Sequence, residues 1–423
     1  MPAIIRRAPP AFLLGGYQTD FARDVSAEGL GLRDLLHESL GGALQAARLE
    51  PRDVEAVHVA NWAGELLNQQ GHLGALVGEA EPALAGLPTG RHEAAGASGG
   101  VAVQAAMAEL EAGRYDVVMV VGVELLRGEP EVLLQGRLAV ALRADEAHGQ
   151  AWPFARVHSE LAEEYERRYG LRPEHLRVLG ESSLRAAARN PRALRRGPQR
   201  PARQDREERE GREEEAVLAR FVRRRDASPP ADGAVALVLA SERYAGTYAR
   251  RRGLSLSRLP RISGWGHRTA RLSLRARLRD GGEHVLPELR GALTDALLRA
   301  SLSGPEQLNA LECHDSFTIA HYAIIDHLGL APAGQPWRLI EDGSVLAGGR
   351  LATNPSGGLL GVGHAGGASG VRMVLDAARQ VSDGAGDYQV PDASRVAVIN
   401  VGGAMATVAT FVVESTRARP VPR

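Results

Sequence analysis

The sequence predicts an α/β fold built around a largely parallel sheet, on three observations. Residues 116–124 (DVVMVVGVE) form a continuous, mostly β-branched apolar run, the mark of a strand buried on both faces. Residues 30–47 place Leu32, Leu35, Leu36 and Leu40 on one helical face. Strand patterns then alternate with helix patterns in both halves of the chain, as in an α/β architecture.

Taken in order, 11–17 (AFLLGGY) reads as a short buried strand ending at Gly15-Gly16, and 54–62 (VEAVHVANW) as a second strand. The small apolar segment 98–113 (SGGVAVQAAMAELEAG) reads as a helix buried on most sides and stopped by Gly113. From about 125 to 225 the chain turns charge-rich, with helical patterns near 155–169 and 173–187. Between 192 and 225 Arg and Glu dominate, which predicts a solvated, partly mobile surface; a basic edge for the phosphates of a ligand is the other reading. Residues 232–241 (DGAVALVLAS) restore a buried strand. The second half repeats the plan: a strand at 261–266, an amphipathic helix at 285–302, a helix at 318–329, a small-residue helix at 368–380 and closing strands in RVAVINVGGAMATVATFVVE. GASGG and GASG precede corresponding helices in the two halves, which suggests that the halves are related.

A chain of 423 residues accommodates two domains, or one large core with insertions. Its 51 basic and 51 acidic side chains balance, so it lacks the basic footprint of a nucleic-acid binder. No lysine occurs, which removes Schiff-base mechanisms. Cys313 is the single cysteine, so neither an intrachain disulfide nor a cysteine-based zinc site can form. No apolar run has the length of a signal peptide or membrane span, and a cytoplasmic enzyme is the expectation.

The chemistry-bearing residues fall in three blocks. In NPSGGLLGVGHAGGASG (354–370), Gly357, Gly358, Gly361 and Gly363 surround His364, permitting tight turns and close approach of a ligand to the backbone. A histidine presented this way can act as a base or hold an oxyanion. In ECHDSFT (312–318), His314 and Asp315 end a strand just before a helix, where an imidazole N–H and a helix N-terminus can meet an oxygen that gains negative charge. Alternation along the strand turns Cys313 away from His314, into the core. The third block is EAAGASGG (93–100).

In order and spacing these blocks resemble the thiolase superfamily over residues 11–415, in particular its sterol-carrier and archaeal branches, with support from 225–241 and 400–414. The resemblance implies two related α/β halves, 1–262 and 263–423, in a layered α-β-α-β-α core with an inserted loop domain at about 125–225. It implies acyl-CoA as substrate, no permanently bound cofactor or metal, and a homodimer or tetramer. By the same comparison His314 belongs to the oxyanion hole, His364 activates the nucleophile, and Asn354, Ser356, Gly357, Gly358 and Gly403 belong to substrate binding. Asn354 opens its block and reads from the sequence more naturally as a turn residue.

The departure is at the nucleophile. Where the family keeps cysteine this chain has Gly96, which cannot carry an acyl group. Asn400 stands where many thiolases have a second cysteine, as in the branch that lacks it. Glycine's missing side chain is expected to leave a small void between His314 and His364. The family reading is an acetyl-CoA acyltransferase-type enzyme that makes or breaks a carbon–carbon bond beside a thioester by Claisen chemistry. Two alternatives stay open: a cysteine-independent aldolase or decarboxylative enzyme beside a small partner of oligonucleotide-binding fold, and a non-catalytic subunit.

Overall fold

The computed structural model describes residues 9–147, 149–197 and 216–416; residues 198–215 of the charged stretch lie outside them. Twelve strands occur among the described residues: β1 (Ala11–Gln18), β2 (Ala56–Ala60), β3 (Thr89–His92), β4 (Val117–Glu124), β5 (Val217–Ala219), β6 (Val222–Arg223), β7 (Gly233–Ala240), β8 (Arg261–Thr269), β9 (Ala310–Cys313), β10 (Ala352–Thr353), β11 (Arg395–Gly402) and β12 (Thr407–Glu414). The helices that matter here are α1 (Leu32–Ala47), α2 (Ser98–Glu111), α3 (Glu131–Leu138), α4 (Pro153–Tyr169), α5 (Pro173–Ala187), α6 (Pro287–Arg299), α7 (Thr318–Leu328), α8 (Gly358–Val362) and α9 (Gly366–Val381).

Ten strands join in the order β10-β9-β11-β12-β8-β1-β7-β4-β2-β3, and β5 and β6 form a separate hairpin. The order is the same in each half: β8, β12, β11, β9, β10 repeats β1, β7, β4, β2, β3. The halves meet at β1 and β8 through the pairs Ala11–Ile262 and Phe12–Arg261. Strands β2, β3 and β4 are mutually parallel, as are β9, β10 and β11. The remaining pairs are antiparallel, which corrects the expectation of a largely parallel sheet. The cause is connectivity: β12 turns straight back from β11, and β7 re-enters the sheet against β4 after the long insertion. Burial on both faces, which suggested parallel strands, arises because helices cover both faces of each half.

Those helices make the layers. On α1 the apolar stripe of Leu32, Leu35, Leu36 and Leu40 is buried, and the helix packs on β1, β4 and β7. Helix α6 covers β8 and β12 on the outside of the second half. Between the halves lie α2 and α9, each touching strands of both and each other. The two glycine motifs make this central pair possible: a Cβ on Gly99 would stand 2.7 Å from the Val371 nitrogen, and one on Gly370 would stand 2.7 Å from the Gly100 nitrogen. Backbone lies on backbone there, and larger residues would force the helices apart. The N-termini of α2 and α9, the end of β9 and the end of β11 converge on one spot, over which the insertion folds. No helix among the described residues is long and apolar enough to cross a membrane.

Candidate active site

Gly96 lies in a single 3-10 turn, Ala95–Ala97, directly ahead of α2. Ala95 is in the left-handed region with φ 52°, a conformation costing a non-glycine residue roughly 1–2 kcal/mol. The turn is held from several sides. The Ala95 amide donates to Glu93 Oε1 at 2.6 Å, the Ser98 hydroxyl donates to the Ala95 carbonyl at 2.6 Å, and Asn400 Nδ2 donates to the Gly96 carbonyl at 2.9 Å. Asn400 Oδ1 in turn accepts from the Gly100 amide at 3.1 Å.

The second element is His314, one residue past β9. Its amide donates to the Ile399 carbonyl at 3.0 Å, and its Nδ1 lies 3.0 Å from Asn400 Nδ2. The other bonds of Asn400 fix which side-chain atom is nitrogen, since only an N–H can donate to the Gly96 carbonyl and only an oxygen can accept from the Gly100 amide. His314 Nδ1 is therefore the acceptor and Nε2 carries the proton. Burial, then the neighbouring His364, His158 and Arg372, push the imidazolium well below its ordinary range. The ring is a neutral donor.

That ring occupies the ground a side chain at position 96 would need. A Cβ on Gly96 would stand 2.8 Å from His314 Cε1, 3.0 Å from the Val401 carbonyl oxygen and 3.2 Å from His314 Nε2. A side chain there would press on the imidazole, while Gly96 itself borders the open cleft that both histidines line.

His364 lies two residues before α9 and donates its amide to the Pro229 carbonyl at 2.8 Å. Its ring meets that of His314 edge to face, with centroids 5.0 Å apart, and its Nδ1 is 2.9 Å from the Ser369 hydroxyl. Burial, and secondarily Arg372, hold it near a pKa of about 4. Gly96, His314, His364 and Gly403 all line one cleft, together with Trp62, Leu134, Leu138, Trp152, Phe154, His158 and Phe317. The N-terminal ends of α2 and α9 both face it, a setting that favours negative charge on a bound oxygen.

Comparison with known proteins fits this architecture. Residues 12–176 match the family model for the thiolase N-terminal domain, and residues 284–415 match the model described as thiolase C-terminal domain-like. The chain belongs to the thiolase superfamily. It is 28% identical over 413 residues to an acetyl-CoA acetyltransferase of Methanothermobacter thermautotrophicus, covering 95% of this chain and 98% of that one. It is also 28% identical over 411 residues to the benzoylsuccinyl-CoA thiolase subunit BbsB of Thauera aromatica, covering 93% and 94%. Among solved structures, the Ltp2-ChsH2(DUF35) aldolase superposes with a TM-score of 0.74 at 20% identity, over 98% of this chain and 99% of that one. Human mitochondrial 3-ketoacyl-CoA thiolase superposes with a TM-score of 0.69 at 17% identity, over 97% and 100%.

Within this thiolase fold the other residues singled out from the sequence lie away from the cleft wall. Asn354, at φ 50°, donates its amide to the Leu311 carbonyl at 2.7 Å and accepts from the Cys313 amide at 2.7 Å, so it joins β9 to the glycine block. Ser356 gives its amide and hydroxyl to Glu312, at 3.0 and 2.6 Å, and accepts from Arg372 at 2.8 Å. Gly357 lies against Ala187 of α5, and Gly358 against the carboxylate of Asp315. The block's glycines thus admit protein neighbours rather than a ligand. Asp315 itself is spent on the Leu359 amide and the Ser183 hydroxyl. Cys313 is fully buried, and burial with the nearby Asp315 and Glu312 carboxylates raises its thiol well above the ordinary range.

Trp62 and His158 also line the cleft, outside the three chemistry-bearing blocks of the sequence. His158 shares a face of α4 with Phe154, Leu161 and Tyr165, all buried; a histidine within that apolar stripe was the available signal. Burial holds its pKa near about 4. The three cleft imidazoles are thus neutral when folded and charged when unfolded below about 6.5. The stability gained by keeping them neutral is present above that value and is lost as pH falls toward about 4. Urea midpoints measured across pH 6.5 to 4 should fall for the wild type and fall less steeply for the double variant His158→Asn/His364→Asn.

Proposed function

We propose that this chain binds a CoA thioester in the cleft and makes or breaks the carbon–carbon bond next to the thioester carbonyl without an acyl-enzyme. The observation that carries this reading is the imidazole of His314 set directly against Gly96, its Cε1 2.8 Å from where a Cβ would stand. A thiolase acyl transfer needs a thiolate at the head of α2; here that place has Gly96 with a neutral N–H donor beside it, and the single thiol of Cys313 is buried elsewhere. What the geometry favours is capture of an enolate. The thioester oxygen accepts from His314 Nε2, the α2 and α9 N-termini stabilise its charge, and His364 flanks the same position. This is aldol or retro-aldol chemistry, in which the bond between the second and third acyl carbons forms or breaks while the thioester stays intact. Support comes from the solved relative named an aldolase, and that relative's ChsH2(DUF35) component supports the expectation of a small partner protein.

Incubation with acetyl-CoA or a longer acyl-CoA should leave the protein's mass unchanged, while ligand binding raises its melting temperature. An acyl-sized mass increase, mapped to Cys313, would overturn the reading. His314→Ala should lower turnover about 10²- to 10³-fold, the usual cost of losing an oxyanion donor. We further read the chain as a homodimer or dimer of dimers, because β3 ends the ten-stranded sheet with one side unpaired among the described residues and an open edge invites a partner strand. Sedimentation equilibrium should give at least a dimer at micromolar concentration; a stable monomer contradicts this.

A further inference from the structure

The cleft holds a third imidazole whose proton is fixed in the opposite sense to that of His314. His158 Nδ1 lies 2.8 Å from the Phe154 carbonyl oxygen, one helical turn earlier. A carbonyl only accepts, so Nδ1 carries the proton and Nε2 keeps its lone pair. Among the described residues Nε2 has no hydrogen-bond partner, and the ring lines the cleft. Phe317 stacks on it at 4.1 Å between centroids, leaving the ring little freedom to turn. One cleft therefore presents a preset donor, His314 Nε2–H, and a preset acceptor, His158 Nε2.

We propose that His158 is the catalytic base of this site and that the substrate is a 3-hydroxyacyl-CoA whose far end is uncharged. This rests on the enolate reading above and names its missing base. In the cleavage direction His158 Nε2 takes the proton of the 3-hydroxyl. The O–H electron pair becomes the carbonyl bond of the leaving aldehyde or ketone. The bond between carbons 2 and 3 breaks, and its electron pair forms the enolate whose oxygen is held by His314 Nε2–H. The proton on His158 then passes to carbon 2, giving a shortened acyl-CoA and restoring the base. No oxidant, reductant or further reactant enters. The uncharged end follows from the wall: Leu134, Leu138, Trp152 and Phe154 are apolar, and the one charged lining side chain among the described residues, Glu131, is paired with Arg224 at 3.0 Å.

The test uses 3-hydroxy-3-phenylpropanoyl-CoA as probe, reading benzaldehyde and acetyl-CoA. The wild type should cleave it. His158→Ala should lower kcat about 10²- to 10⁴-fold with KM changed little, and added imidazole should restore part of the rate. His158→Gln keeps a polar side chain in the slot, guards against loss of folding, and should show the same loss in kcat. Wild-type turnover with an unchanged kcat in either variant, with a change confined to KM, or without imidazole rescue of His158→Ala overturns the assignment of His158 and leaves the enolate reading standing. A wild type that neither binds nor cleaves the probe overturns both.

Discussion

The side-chain amide of Asn400, near the end of β11, makes three contacts at once. It donates to the Gly96 carbonyl, accepts from the Gly100 amide, and lies with Nδ2 against His314 Nδ1. The first two tie the turn before α2, and the first turn of α2 itself, to the second half of the sheet. The third sets the tautomer of the histidine that follows β9. All three atoms served are buried, and leaving a buried polar group unpaired costs roughly 1–3 kcal/mol, so the arrangement resists rotation of the amide. The backbone must come equally close: a Cβ on Gly402, two residues on, would collide with the Ala94 carbonyl. Glycine at 96 and asparagine at 400 are thus two parts of one packing solution, in which the imidazole lies close against the bare backbone of Gly96.

The rest of the fold serves this point. The repeated sheet halves place α2 and α9 side by side, and their glycine motifs let backbone pack on backbone so that both N-termini reach one cleft. The buried Glu124 carboxylate accepts from the Trp62, Ala63 and Gly367 amides at 2.9, 2.9 and 2.7 Å, fixing the start of α9 against the first half. The insertion then supplies what the repeated core lacks, an apolar wall and His158. In such buried surroundings a neutral imidazole N–H is worth more to a charge developing on a bound oxygen than it is in water.

Much of this was legible in the sequence, and the parts that were not have physical reasons. Val117–Glu124 and Gly233–Ala240 are buried on both faces and read directly from their composition. The block around His364 and the HD pair at 314–315 announced themselves as chemistry. Strand direction was hidden, because burial reports only that both faces are covered. The partners of the glycines were hidden too: a missing Cβ says that something comes close, and only the fold shows that for Gly357 it is Ala187. His158 was masked by its setting, since a lone histidine in an apolar helical stripe looks like core until the cleft is seen beside it. The close approach of the His314 ring to Gly96 goes with a contact between residues 96 and 400 that no local pattern encodes.

The central claim is that His314 is a neutral imidazole with its proton on Nε2, fixed by Asn400. Nitrogen-15 NMR of histidine-labelled protein, with His314 assigned by its loss in His314→Gln, measures this directly. At pH 7 the account predicts the shift pattern of a neutral ring with bare Nδ1 and protonated Nε2, changing when Asn400 is replaced by Ala. A protonated Nδ1, as in an imidazolium or the opposite tautomer, would contradict it.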